Sequence, residues 1–135
     1  MLLLVGLLTA GCSRSATSTT ADLQPGRTWH LLEVRTAGTT LSPIPPTRAS
    51  TILFHDGQLA GSDSVNTHHA NYSETGDQLT LSNPDSTAVG IATETAEEGQ
   101  VLLAMGKLFS SGPVTVNPTA DRLEVTTGPY VLVFA

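Results

Sequence analysis

Residues 51–61 read TILFHDGQLAG, and Asp56-Gly57 at their centre decides what this part of the chain can be. Two apolar runs at two-residue spacing around Asp-Gly are the strongest short-range signal for a β-hairpin. A second hairpin is expected just downstream. There Asn71-Tyr72-Ser73 and Gln78-Leu79-Thr80-Leu81 flank the turn residues Glu74-Thr75-Gly76-Asp77. Leu79 and Leu81 then share one face, because successive side chains in a strand point to opposite sides.

Working outward, Arg27–Val34 (RTWHLLEV) reads as a strand, with Trp29 the one large aromatic able to anchor a core. Gly38, Pro43, Pro45 and Pro46 make Thr36–Ser50 a loop. Toward the C-terminus the period changes. Val101, Met105 and Leu108, with Leu102 and Phe109, form an apolar stripe at helical spacing, and Thr95 with Glu98 fits a capping box. Gly99 and Gly106 weaken this helix by about 1 kcal/mol each relative to Ala, so packing must supply most of its stability. After Gly112-Pro113 strands return at Val114–Val116, Leu123–Val125 and Tyr130–Phe134, with a turn at Asn117-Pro118. The expected class is α+β: a small, antiparallel, strongly curved β-sheet of six to seven short strands packed with one helix.

The chain has 135 residues, which suits one domain. Charged residues make up 13%, against an average of about 25%, so much of the surface is Ser, Thr, Asn, Gln and Gly. A net charge of −6 supplies no basic patch for nucleic acid and no attraction to anionic lipid. A membrane anchor would have to be hydrophobic or covalent.

Residues 1–12, MLLLVGLLTAGC, offer one. The apolar run is too short to span a bilayer, which takes about 20 residues, and has the length of a signal-peptide core. Its ending, Leu8-Thr9-Ala10-Gly11-Cys12, resembles a bacterial lipobox, which implies a signal peptide over 1–11 and a lipid on Cys12. Thr9 stands where Leu is usual, and no Lys or Arg precedes the run. The translated chain therefore either starts upstream of Met1 or carries a shortened leader. Lipidation of Cys12, the single cysteine, excludes a disulfide, thiol catalysis and a cysteine-ligated metal. Residues 12–22 are expected to be the lipidated cysteine and a disordered Ser/Thr-rich tether, with the domain over 23–135.

In order and spacing the chain resembles the META domain family, which includes the HslJ heat-inducible envelope proteins. Trp29 and Leu31 match the opening W-x-L strand, and Gly61–Asn66 (GSDSVN) matches G-x-x-G-C-N. Tyr72 falls where the family has an aromatic, Ser86-Thr87-Ala88-Val89-Gly90 matches S-T-x-M-A, and Leu132–Phe134 matches the terminal strand. In this comparison Trp29, Gly61, Asn66, Tyr72, Ser86 and Thr87 are structural residues. Val65 and Ile91 stand where the family carries cysteines, and Ser64 replaces its second glycine. If Val65 and Ile91 face each other, apolar packing has taken over from a sulfur pair.

Residues 61–72, GSDSVNTHHANY, also look like a site. His68 and His69 are adjacent, however, and in extended backbone they point to opposite faces. A zinc ion would need a third ligand from Asp63, Asp77, His30 or His55, and nothing in their spacing forces them together. The expected structure is a solvent-facing turn in which Asn66 bonds its own backbone. Catalysis is not expected: there is no G-x-S-x-G elbow and no phosphate-binding loop. Glu33, Glu74, Glu94, Glu97, Glu98 and Glu124 lie in polar contexts rather than in apolar ones that would raise a carboxyl pKa.

The functional expectation is a non-catalytic, monomeric cell-envelope lipoprotein without cofactor or metal. It would be held to the membrane through Cys12 on the extracytoplasmic side and would act on a protein partner. The family resemblance implies a link to envelope stress or antibiotic tolerance. Two alternatives stand beside it. One is a binding module that inhibits an extracellular hydrolase through the Pro-rich stretch Ser42–Arg48. The other is a metal-binding protein using His68 and His69.

Overall fold

The computed structural model describes residues 22–36, 39–41, 50–63, 65–87, 96–110 and 112–135. Cys12, the tether up to residue 21, the Ser42–Arg48 stretch, Ser64, Ile91 and Thr95 of the expected capping box lie outside them.

Nine strands and one helix make up the described fold: β1 (Thr28–Thr36), β2 (Thr39–Leu41), β3 (Thr51–His55), β4 (Gln58–Ser62), β5 (Thr67–Thr75), β6 (Gln78–Ser86), α1 (Ala96–Leu108), β7 (Gly112–Pro118), β8 (Leu123–Thr127) and β9 (Tyr130–Phe134). Each strand from β3 to β9 pairs antiparallel with the next, and β9 returns to β1. The sheet therefore closes. A small, strongly curved sheet of six to seven short strands packed with one helix was expected; the fold is a closed antiparallel barrel of eight strands with one short helix, mostly sheet.

β1 makes closure possible. Its first half, Thr28–His30, pairs with β3, and Leu31–Arg35 pairs with β9. Beside the second half, on the side that β3 leaves, lies the short β2, within the stretch expected to be loop. The β1–β9 register shifts between Leu31 and Glu33. That irregularity changes the inward parity of β1, so Trp29 and Leu31 are buried before it and Val34 after it.

Asp56 and Gly57 form the two-residue turn between β3 and β4, with φ of 50° and 76°, the positive pair that the tight hairpin turn demands. The turn of the second hairpin is tighter than expected. Glu74 and Thr75 belong to β5, leaving Gly76 and Asp77 to reverse the chain, with Gly76 at φ 64°. Two further boundaries move. β7 runs through Pro118, and its turn closes at Thr119, whose N–H donates to Arg122 O at 2.8 Å. β6 continues past Leu81 to Ser86 although Pro84 lies within it. Proline is tolerated there because β7 pairs only with Gln78–Leu81, so Pro84 has no β7 acceptor to disappoint.

The interior is apolar at almost every inward position: Ile52 and Phe54, Leu59, Ala70, Leu79 and Leu81, Val114 and Val116, Leu123 and Val125, Leu132 and Phe134. Leu79 and Leu81 do share the inner face. From α1 come Val101, Ala104, Met105 and Leu108, followed by Phe109, all buried in the same core, while Leu103 points outward. α1 links the end of β6 to the start of β7 and lies over that end of the barrel. At the opposite end Trp29 is fully buried and donates Nε1–H to Leu23 O at 3.0 Å. The Arg27 guanidinium covers its ring at 3.9 Å, and Gly26 N–H donates to Phe54 O at 2.9 Å. The segment before β1 thus seals the end that the helix leaves open.

Truncating Trp29 would unseal that end. Trp29→Ala is expected to cost about 3–5 kcal/mol in urea unfolding. A loss below about 1 kcal/mol, within the range of ordinary surface substitutions, would show that the plug does not depend on it.

Candidate functional site

The helix-covered end carries a row of polar residues inside an otherwise apolar wall. β4, β5 and β6 lie side by side, and their registers set Gly61 beside His68 and His68 beside Ser86. His68, Ala70 and Tyr72 share the inner face of β5, and His68 is only 4% exposed. The solvent-facing turn expected here is thus overturned for His68. His69, on the other face, is exposed.

Ser86 reaches His68 because β6 carries an extra residue. Tyr72 pairs with Leu81, a register that continued unbroken would set Asp85 opposite His68. The register shifts between His69 and Asn71, where Asn83 takes φ 51°, and His68 then meets Ser86. A one-residue shift turns every later side chain to the other face. The bulge thereby keeps the Asp85 carboxylate off this face and brings in a hydroxyl.

Both imidazole nitrogens are engaged. His68 Nε2 lies 2.7 Å from Asp63 Oδ2, and Nδ1 lies 2.6 Å from Ser86 Oγ. The Asp63 side chain is itself buried at 2% exposure, and its second oxygen, Oδ1, accepts from Val65 N–H at 3.0 Å and Asn66 N–H at 2.6 Å. Burial by itself would raise the Asp63 pKa. The hydrogen bond with His68, the N–H groups of Asn66 and Val65 and the charge of His68 outweigh it and hold the carboxyl below its ordinary 3.8. Asp63 is therefore an ionised acceptor. Nε2 must carry a proton toward it, and in the neutral ring Nδ1 presents a lone pair to the Ser86 hydroxyl.

The ring is held from its face as well. Phe109, just past α1, stacks on His68 with centroids 4.9 Å apart and planes 13° from parallel. Gly61 makes the room: a Cβ there would stand 2.7 Å from Phe109 Cε2 and Cζ and 3.2 Å from Thr51 O. A glycine matched to a family motif is thus a packing requirement of an aromatic forty-eight positions downstream in sequence.

Asn66 and Thr87 form the neighbouring contact. Thr87 Oγ1 donates to Asn66 Oδ1 at 3.0 Å and accepts from Thr67 N–H at 3.0 Å. Thr87 N–H donates to Thr67 O at 3.0 Å. Asp63 bonds its own turn through the N–H groups of Val65 and Asn66, while the Asn66 side-chain carbonyl reaches across to Thr87, just past β6. Tyr72 is half-buried and meets Phe54 edge-on, with centroids 5.3 Å apart. Burial, and then the charge of Glu74, raise its hydroxyl pKa.

His30, His55 and Asp77 are exposed and do not join Asp63 and His68; the nearest carboxylate to the His55 ring is Asp56, at 3.2 Å. Among the described residues no three His, Cys, Asp or Glu side chains gather in a group able to hold a metal ion. The Asp63–His68–Ser86 row escaped sequence reasoning, although period-two alternation over His68, Ala70 and Tyr72 was a readable sign that His68 turns inward.

A family model described as META domain matches residues 21–128. Two solved structures share the fold. One, an NMR structure of a protein from Burkholderia xenovorans, has a TM-score of 0.62 at 14% identity, covering 98% of this chain and 97% of that one. A second NMR structure has a TM-score of 0.62 at 15% identity, covering 84% of this chain and 92% of that one. No curated protein matches the chain.

Two outcomes are expected. Gly61→Ala drives a methyl into the Phe109 ring and is expected to cost about 1–3 kcal/mol. Adding Phe109→Leu should relieve part of that, so the double variant is more stable than the two single losses predict; simple additivity would remove the contact from the account. For Asp63 the pKa is depressed on folding, so its contribution is complete above the unfolded value of about 3.9. It is lost as the pH falls below that value through the depressed folded one. Urea unfolding of the wild type and Asp63→Asn should therefore show a gap at neutral pH that closes in acid. A gap of equal size at both ends would mean that the ionised carboxylate contributes nothing.

Proposed function

The chain belongs to the META domain family, and we propose that it acts as a non-catalytic accessory lipoprotein of the cell envelope, its barrel carried on a tether from a lipid on Cys12. The observation that carries the accessory reading is how the two internal family stretches meet. Asn66 of the first stretch meets Thr87 of the second, and beside them His68 on β5 meets Ser86. Groups engaged in this way hold the ends of β5 and β6 in register.

The anchor reading rests on residues 1–12, an apolar run ending in small residues and cysteine. The Ser/Thr-rich stretch that follows stops where the barrel's first buried residue, Leu23, begins. Among the described residues no helix is long and apolar enough to cross a membrane. A monomeric, acidic barrel on such a tether is suited to meeting a protein partner near the extracytoplasmic surface, in keeping with the envelope-stress or antibiotic-tolerance role that the family resemblance suggests.

The test is the intact mass of the protein recovered from membranes of its native host, beside Cys12→Ser. Loss of residues 1–11 with acyl chains on the wild type, and neither in the variant, is expected. An unmodified wild-type chain in the soluble fraction would overturn the anchored reading.

A further inference from the structure

The Asp63–His68–Ser86 row has a chemical consequence that the accessory reading does not use. We propose that Ser86 is a nucleophile that accepts an acyl group from an activated ester in a single, stoichiometric step, with His68 as its base. The inference goes beyond the accessory function, since an acceptor that reacts once need not turn over.

Three observations carry it. The first is the relay itself. An ionised, buried carboxylate 2.7 Å from one imidazole nitrogen, with a serine hydroxyl 2.6 Å from the other, is the arrangement that activates serine in hydrolases. Here the ring is inverted, with Nδ1 rather than Nε2 toward the hydroxyl, but either nitrogen can take a proton. The second is the difference in exposure. Asp63 and His68 are buried and fixed, the ring stacked on Phe109, whereas Ser86 is exposed at the barrel's end. A donor can therefore reach the hydroxyl without disturbing the base. The third concerns Thr87. In serine hydrolases with a nucleophile elbow, the N–H after the nucleophile helps hold the developing oxyanion. Thr87 N–H instead donates to Thr67 O at 3.0 Å. Without that donor both attack and hydrolysis lose oxyanion stabilisation. An activated ester, with its good leaving group, can still react with the help of the base, worth about 10²–10⁴-fold, whereas the unactivated serine ester that results hydrolyses slowly.

In the step, Ser86 Oγ forms a bond to the ester's carbonyl carbon and its proton passes to His68 Nδ1. The bond from that carbon to the leaving oxygen breaks, and the leaving group departs with the proton from His68. Asp63 stays ionised and stabilises the imidazolium between the two transfers. Asp63 is a positioning residue here; Ser86 and His68 are the reacting groups.

The full chain is treated with a fluorophosphonate, whose phosphorus bonds to Ser86 Oγ as fluoride leaves, and the adduct is located by peptide mass mapping. One adduct per chain on Ser86 is expected, none there in Ser86→Ala, and a labelling rate about 10²-fold lower or less in His68→Gln. If His68→Gln does not fold by circular dichroism, Asp63→Asn takes its place, with a slower rate and a displaced pH dependence of labelling expected. With p-nitrophenyl acetate, release of p-nitrophenol should stop near one equivalent per chain. Labelling spread evenly over surface serines, an unchanged rate in the folded His68 or Asp63 variant, or no adduct at Ser86 would overturn the proposal. Sustained release beyond one equivalent would overturn its stoichiometric part.

Discussion

Closure of the barrel rests on β1 serving two neighbours in one pass. Its first residues hold β3 and its later ones hold β9, with the register shift at Leu31–Glu33 between them. A sheet that closes has no long unpaired edge, and the surface here has few charges to guard one. Where edges do remain, the chain uses other means. β6 runs on beyond β7 over Ser82–Ser86, and that stretch carries a bulge at Asn83, a proline at 84 and an acid at 85. Each of these opposes the docking of a further strand. The same bulge sets Ser86 across from His68, so one device both blunts an edge and builds the polar row.

The row is a costly thing to place in an apolar wall. A buried carboxylate and imidazole lose their hydration, and a pair of this kind is tolerable only when the remaining lone pairs and protons are also satisfied. Asp63 meets that condition with two backbone N–H donors on one oxygen and the imidazole on the other. His68 meets it with Ser86 and the face of Phe109. The condition reaches into the sequence at some distance. Phe109 can cover the ring only if β4 presents no side chain beneath it, and this fixes glycine at position 61.

Local chemistry was legible wherever a short stretch decides its own conformation. Asp56-Gly57, the inward leucines of β6 and the apolar stripe of α1 all follow from neighbours a few residues away. Closure was not, because Leu31–Arg35 and Val131–Phe134 meet only through tertiary pairing and carry no local sign of it. The polar row failed for the same reason at finer scale. His68 and Asp63 were visible as a cluster, and Ser86 as part of a family motif, but joining them requires the register of β5 on β6 to within one residue. Nothing local announces that shift beyond Asn83-Pro84, a dipeptide that reads more readily as the end of a strand.

The helix shows how these levels combine. With Gly99 and Gly106 it is a weak helix taken alone, and it holds because its apolar face completes the barrel's core. At its C-terminal end the Lys107 carbonyl accepts from Ser110 Oγ at 2.6 Å and from Thr127 Oγ1 at 3.3 Å. The Lys107 stem lies against Gly128, where a Cβ would meet Cε at 2.7 Å. That end is thereby fastened to β8 and to the turn before β9, on the wall opposite the polar row. Phe109, two residues on and also buried, inherits a fixed position from those contacts, and with it the His68 ring inherits a fixed plane. The orientation of an imidazole on β5 is thus set by a helix end docked on β8, which is why the geometry around Ser86 belongs to the whole barrel and not to the stretch that contains it.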